Sequence, residues 1–193
     1  MHKIILASKS KVRKKILDEN NIECKVFPSN ADEELVKKSL IKENLSPELI
    51  SKNLAELKAN KVSLKFNKEI VIGADSVIDM NGELISKPKN RDEALKILKK
   101  LNGKTHNLIS SVCISKNGSM IWHYTDKASL TMKNMTEAEL QKYLSKITDE
   151  ALYAYNVYQI EGEGKSLFLK IKGDEDTIMG LPIKKIKNYL EKL

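Results

Sequence analysis

The stretch Glu69-Ile-Val-Ile-Gly-Ala-Asp-Ser76 ends an apolar run on a carboxylate, and Lys87-Pro88 presents a cation soon after it. Ile70, Val71 and Ile72, stopped by Gly73 and Ala74, read as a buried strand. Asp75 then sits at the carboxyl end of that strand, where open α/β sheets place ligand chemistry. On this segment alone Asp75 reads equally well as a residue that turns the chain at the strand exit. Lys87 is better defined, because the following proline biases it toward an extended conformation and so fixes its direction.

A second candidate site lies at the N-terminus. Lys3-Ile-Ile-Leu-Ala7 reads as a short apolar strand that runs into Ser8-Lys9-Ser10-Lys11-Val12-Arg13-Lys14-Lys15. Ser10 suits a helix N-cap, and Val12, Ile16 and Leu17 keep helical spacing behind it. A strand, a small-residue turn and a helix start make an anion site, because free backbone N–H groups and the helix dipole both favour phosphate there. Among the cations, Arg13 suits bidentate phosphate clamping. Lys11, Lys14 and Lys15 read as a solvated basic face.

The elements that must position these residues alternate along the chain. Glu23 to Phe27 reads as a strand, Pro28 to Ala31 as a turn and Asp32 to Lys42 as a helix. Ser46-Pro47 opens a further helix with Leu49, Leu54, Leu57 and Val62 on one face. Asn81-Gly82 marks a hairpin turn, and Arg91 to Leu101 is an amphipathic helix stopped by Asn102-Gly103. His106 to Ser115 and Ser119 to Met132 pair as a second hairpin around Asn117-Gly118. Thr136 and Glu139 have capping-box spacing, and a strand from Ser166 to Ile171 and a helix from Pro182 to Leu193 close the chain. The pattern predicts one α/β domain over residues 1–193, a twisted mixed sheet flanked by helices.

Composition bounds the function. A chain of 193 residues with 41% apolar content can bury one sizeable core. No window reaches membrane-spanning length, and Ile4 to Ala7 is too short for a secretory signal. Cys24 and Cys113 lack metal-ligand spacing and read as buried reduced thiols, which points to the cytoplasm. The net charge of +8 comes from 34 Lys plus Arg against 26 Asp plus Glu. Those charges alternate in sign along helical stretches, Arg13 and Arg91 are the only arginines, and three Phe and one Trp supply few stacking surfaces. Nucleic acid is therefore a poor partner.

The ordered set Leu-Ala-Ser-x-Ser-x-x-Arg (Leu6 to Arg13), Asp32-Glu33, Leu54-Ala55-x-x-Lys58-Ala59, Gly73-Ala74-Asp75-Ser76, Lys87-Pro88, Gly103-Lys-Thr-His106, Glu161-Gly162-x-Gly164 and Gly173-Asp174 to Gly180-Leu181-Pro182 resembles the Maf-like nucleotide pyrophosphatases. The resemblance spans essentially the whole chain. It implies a deep nucleotide-binding cleft in a Maf/ITPase-like fold and hydrolysis of a nucleoside triphosphate to monophosphate and diphosphate with Mg²⁺ or Mn²⁺. It also implies a homodimer. Glu33 and Asp75 become the acidic pair, with Asp75 as general base for the attacking water or as metal ligand. Ser8, Ser10, Arg13, Lys58 and Lys87 become the phosphate site.

Base preference falls to Val12, Ser76 and Glu161. The dTTP/UTP subgroup has Arg, Thr and Gln there, and the 7-methyl-GTP subgroup has Trp, Gln and Glu, so this chain shares only Glu161 with the second. A carboxylate suits the N–H donors of a guanine edge. The competing function is a non-catalytic nucleotide- or nucleic-acid-binding regulator of cell division. His106 starts a strand, where packing or a hydrogen bond competes with proton transfer.

Overall fold

The computed structural model describes residues 3–155 and 157–193. Among these residues, seven strands form one mixed sheet: β1 (Ile4–Leu6), β2 (Cys24–Val26), β3 (Ile70–Met80), β4 (Glu83–Ile85), β5 (Thr105–Lys116), β6 (Ser119–Met132) and β7 (Phe168–Lys172). The order is β2-β1-β3-β5-β6-β7, with β4 added to the end of β3. β1 runs parallel to β2 and β3, and all other pairings are antiparallel. The helices are α1 (Lys11–Glu19), α2 (Glu33–Lys42), α3 (Pro47–Ser63), α4 (Arg91–Leu101), α5 (Glu137–Lys146), α6 (Asp149–Tyr155), α7 (Glu175–Ile178) and α8 (Ile183–Leu190). None is long and apolar enough to cross a membrane among the described residues.

Local chemistry sets most boundaries. Ser10, Asp32, Ser46, Asn90 and Thr136 cap helices by accepting a backbone N–H, and Thr136 with Glu139 completes a capping box. Asn117 and Gly118 both take positive φ, the backbone of a hairpin turn whose twist matches its strands. Three elements differ from the sequence pattern. β3 does not stop near Asp75 but continues to Met80, and α6 and α7 are short helices that apolar spacing does not announce. Asn156, in the stretch before Glu161, lies outside the described residues.

The neighbours of β3 change along its length. β1 pairs with Ile70 to Ile72, and β4 pairs with Ile78 to Met80. Between them, residues 73–77 of β3 have no sheet neighbour on that side among the described residues, while β5 accompanies the strand along the other side. Asp75 therefore lies beyond the carboxyl end of β1, in mid-strand of β3. The clusters flanking this gap are built on different helices. Leu6, Ile72 and Ile114 pack with Ile16 and Leu17 of α1 and Ile183 and Ile186 of α8, whereas Ile78, Met80 and Leu130 pack with α4 and α5.

Candidate active site

A cleft of about 490 Å³ opens at this gap in the sheet. Successive strand residues point to opposite faces, so Asp75 faces α3 while Ser76 faces α1. The approach of α3 to β3 is unusually close. A Cβ on Gly73 would sit 2.3 Å from the Ala55 carbonyl oxygen and 2.7 Å from the Ala59 nitrogen. Only glycine permits this contact, and it carries Lys58 to the strand. The Lys58 Nζ lies 2.8 Å from Glu33 Oε2 and 2.8 Å from Asp75 Oδ1, with the Ala74 carbonyl oxygen at 3.4 Å. One ammonium thus joins the two acids. The Lys58 and Asp75 side chains are 8% and 13% exposed and that of Glu33 is 44% exposed, so the cluster is dry at its strand end and open at the helix end. Ser51 Oγ donates to the Asp75 carbonyl oxygen and fixes the strand from the same helix.

Arg13 occupies a different position from the phosphate clamp its residue type suggests. It is half-buried at the cleft wall, and its Nε donates to the Gly180 carbonyl oxygen at 2.9 Å. Nη1 donates to the Ala74 carbonyl oxygen and Ser8 Oγ, and Nη2 to Ser76 Oγ. A guanidinium has five N–H donors, so these bonds consume most of them. Burial lowers its pKa, opposed by the fields of Asp75 and Glu33. Arg13 therefore clips together the turn after β1, the middle of β3 and the loop after α7. Ser110 Oγ donates to the Thr177 carbonyl oxygen, which leaves Ser76 to donate its own proton to Ser110 across 2.8 Å. Gly180 takes φ +93° beside this chain, and a Cβ there would meet Ser76 Oγ at 2.9 Å. Ser110, Thr177 and Gly180 went unassigned in the sequence, although the Gly180-Leu-Pro segment stood out as a motif.

The serines of the N-terminal turn serve the backbone. Ser8 Oγ accepts from the Ser10 N–H and from Arg13, and Ser10 Oγ caps α1 by accepting the Arg13 N–H. Both still line the cleft. Lys87 also lines the cleft. Desolvation lowers its pKa, reinforced by Arg13 and Lys58 and opposed by Asp75 and Glu33. Its ammonium therefore belongs to the same field as the acidic pair.

The three expected base-reading residues part company. Ser76 lines the cleft but is committed to Arg13 and Ser110. Val12 packs against the apolar cluster of Leu6 and Ile16 and does not line the cleft, because helical periodicity places it on the core side of α1. Glu161 is exposed at the cleft wall, where Gln159 Nε2 donates to its Oε1 at 3.0 Å. His106 is 1% exposed in the core and hydrogen-bonds Tyr158 through Nε2 at 2.8 Å, and Tyr158 lines the cleft just before Gln159. Desolvation lowers the His106 pKa from 6.5 to about 4, which makes it a neutral structural group. Cys113 is buried, while Cys24 is only half-buried.

The donor chemistry fits a hard divalent cation. Two carboxylates converge on one position held by a positive group, and Mg²⁺ commonly uses one or two carboxylates, with phosphate oxygens and water supplying the rest of its shell. No group of three or more His, Cys, Asp or Glu able to hold a metal occurs among the described residues. Glu33 and Asp75 would therefore hold such an ion together with a ligand.

A sequence model of the family described as Maf-like protein matches residues 3–193. A nucleoside triphosphate pyrophosphatase of Pelagibacter ubique (strain HTCC1062) is 73% identical over 188 residues, covering 97% of this chain and 96% of its own length. A 7-methyl-GTP pyrophosphatase of Rhizobium etli is 35% identical over 191 residues, covering 99% and 96%. A HAM1 protein from Coxiella burnetii has a loosely similar solved structure, with TM-score 0.47, 14% identity and coverage of 70% and 75%.

Proposed function

Because the chain belongs to the Maf-like family and is an enzyme of the nucleoside triphosphate pyrophosphatase class, we propose that its cleft hydrolyses a guanine-type nucleoside triphosphate, such as 7-methyl-GTP, to the monophosphate and diphosphate. The observation that carries this reading is the placement of Glu33 and Asp75 on one buried lysine inside the cleft that Lys87 also lines. Attack of water on the α-phosphorus has to overcome the negative charge of the phosphates and stabilise charge gained by the leaving diphosphate. A Mg²⁺ or Mn²⁺ ion held by Glu33 and Asp75 would supply charge neutralisation and a more acidic water. Asp75, the less exposed acid, receives the proton of the attacking water. Lys58 and Lys87 stabilise the diphosphate as it departs. Arg13 positions the turn, the strand and the Gly180 loop around it and leaves the phosphates to the lysines.

The base rests against Glu161 and Gln159. One of the two Gln159 amide N–H groups is committed to Glu161, so the acceptors facing a base are the free Glu161 carboxylate oxygen and the Gln159 carbonyl oxygen, beside one remaining N–H donor. Guanine has N1–H and N2–H donors on its edge, whereas thymine and uracil bracket one N–H with carbonyl oxygens. An unpaired acceptor in such a contact costs about 1 to 3 kcal/mol. Two free cysteines agree with a reducing cytoplasm, and the same reading makes the enzyme a homodimer.

The test compares 7-methyl-GTP, GTP, UTP and dTTP with Mg²⁺ or Mn²⁺, scoring diphosphate and monophosphate. We expect cleavage between the α and β phosphates, preference for the guanine nucleotides, a loss of preference in Glu161→Gln, and a loss of about 10²-fold or more in Asp75→Asn. Orthophosphate as the first product would overturn the cleavage position. A wild-type preference for pyrimidines, or an unchanged ranking in Glu161→Gln, would overturn the base assignment.

A further inference from the structure

The acidic pair already has a cation between its members. The Lys58 Nζ touches one oxygen of each carboxylate at 2.8 Å, and its side chain is buried on the helix that packs tightly against Gly73 of β3. The pair with the ammonium carries one net negative charge, and without it two. A divalent ion approaching the same two carboxylates meets a site that is half neutralised and sterically occupied. Phosphate oxygens change this balance. They offer the ammonium a new partner, and they supply the ligands that two carboxylates cannot. Glu33, more exposed than its partner and borne on the first turn of α2, is the member free to reorient as the lysine leaves.

We propose that Lys58 is a resident counter-ion which keeps the Glu33–Asp75 site closed to divalent metal until nucleotide phosphates draw its ammonium away, so that metal binding is conditional on nucleotide. Premature loading of the acids with metal is thereby avoided, and the lysine reaches the phosphates in the same movement that frees the carboxylates. This inference rests on the pyrophosphatase reading, but its test does not use turnover.

The experiment measures Mn²⁺ binding by the loss of the free-ion electron paramagnetic resonance signal, with and without a nucleotide analogue whose α–β bridge is a methylene group. The wild type is expected to bind Mn²⁺ weakly alone and at least about tenfold more tightly with the analogue, since adding phosphate ligands and removing a charge about 3 Å away act together. Lys58→Met, which keeps the apolar stem and removes the charge, should bind Mn²⁺ without analogue about tenfold or more tightly than the wild type. Adding Asp75→Asn to Lys58→Met should abolish that gain. A wild type that binds Mn²⁺ equally well with and without analogue overturns the proposal, and this arm stands even where Lys58→Met does not fold. A folded Lys58→Met with unchanged Mn²⁺ affinity, or a gain that survives Asp75→Asn, overturns it as well. Absence of diphosphate release alongside the expected Mn²⁺ pattern would sink the pyrophosphatase reading and leave the counter-ion in place.

Discussion

Replacing Gly73 with alanine tests whether backbone packing, at a distance from any substrate, holds the acidic cluster together. The new methyl group would meet the Ala55 carbonyl oxygen at 2.3 Å, the Ala59 nitrogen at 2.7 Å and the Ala59 Cβ at 2.9 Å. None of these is the end of a flexible side chain. Restoring ordinary contact requires α3 to retreat by about 1 Å, because repulsion rises steeply inside the van der Waals minimum. Overpacking of this kind costs about 1 to 3 kcal/mol, which is roughly 2 to 12 °C of Tm for a chain of this size. Lys58 lies on the displaced helix between those contact points, so its bridge from Glu33 to Asp75 lengthens or breaks. A misplacement of about 1 Å near reacting groups costs on the order of 10²-fold in rate. Gly162→Ala is the matched control, since a Cβ there meets nothing closer than 3.8 Å. Thermal melting and diphosphate release on both variants decide the matter. A Gly73→Ala protein with wild-type Tm and wild-type kcat/KM would refute the claim that this contact positions Lys58.

Arg13→Lys should destabilise the nucleotide-free protein by about 3 kcal/mol, because one ammonium cannot span Gly180, Ala74, Ser8 and Ser76 and at least two charge-assisted bonds are lost. A phosphate clamp would instead leave the melting of the nucleotide-free protein unchanged and raise only KM, so melting without nucleotide separates the two. His106 makes stability fall on acidification. Its folded pKa of about 4 lies below the ordinary 6.5, so between those values the unfolded chain binds a proton that the folded chain refuses. Its contribution is complete above pH 6.5 and shrinks as pH falls through that window, the loss reaching about 3 kcal/mol by pH 4. Urea unfolding at pH 7 and pH 4.5 should show a smaller difference in His106→Gln than in the wild type, and equal differences would contradict the assignment.

Features that depend on neighbours in the chain were legible, and features that depend on neighbours in space were not. The Asn117-Gly118 hairpin, the Thr136–Glu139 capping box and the Ser10 cap are decided within a few residues, so spacing alone locates them. Asp75 was placed at the end of its own strand because the apolar run stops at Gly73. The run stops at Gly73 because α3 packs too close there for a side chain, and neither that contact nor the end of β1 at Leu6 is signalled within β3. Arg13 shows the same limit. Its type and position beside a helix start suggest a phosphate ligand, but its partners Ala74, Ser76 and Gly180 are distant in sequence and spend its donors on the protein.

Val12 sets two sequence arguments against each other. The resemblance to the substrate subgroups assigns its position to base reading, while its spacing to Ile16 assigns it to the core side of α1, and in the structure it packs against the cluster of Leu6 and Ile16. The reason is physical. A residue one turn before Ile16 shares its face, and moving Val12 to the cleft would require rotating the helix and exposing Ile16 and Leu17, which are 3% and 0% exposed. Burying those two side chains contributes about 1.5 to 3 kcal/mol each, more than a base contact from one valine could return. Under the proposed reading, base recognition is assigned instead to positions the core does not own, Glu161 and Gln159, on a loop whose preceding Tyr158 hydrogen-bonds the buried His106.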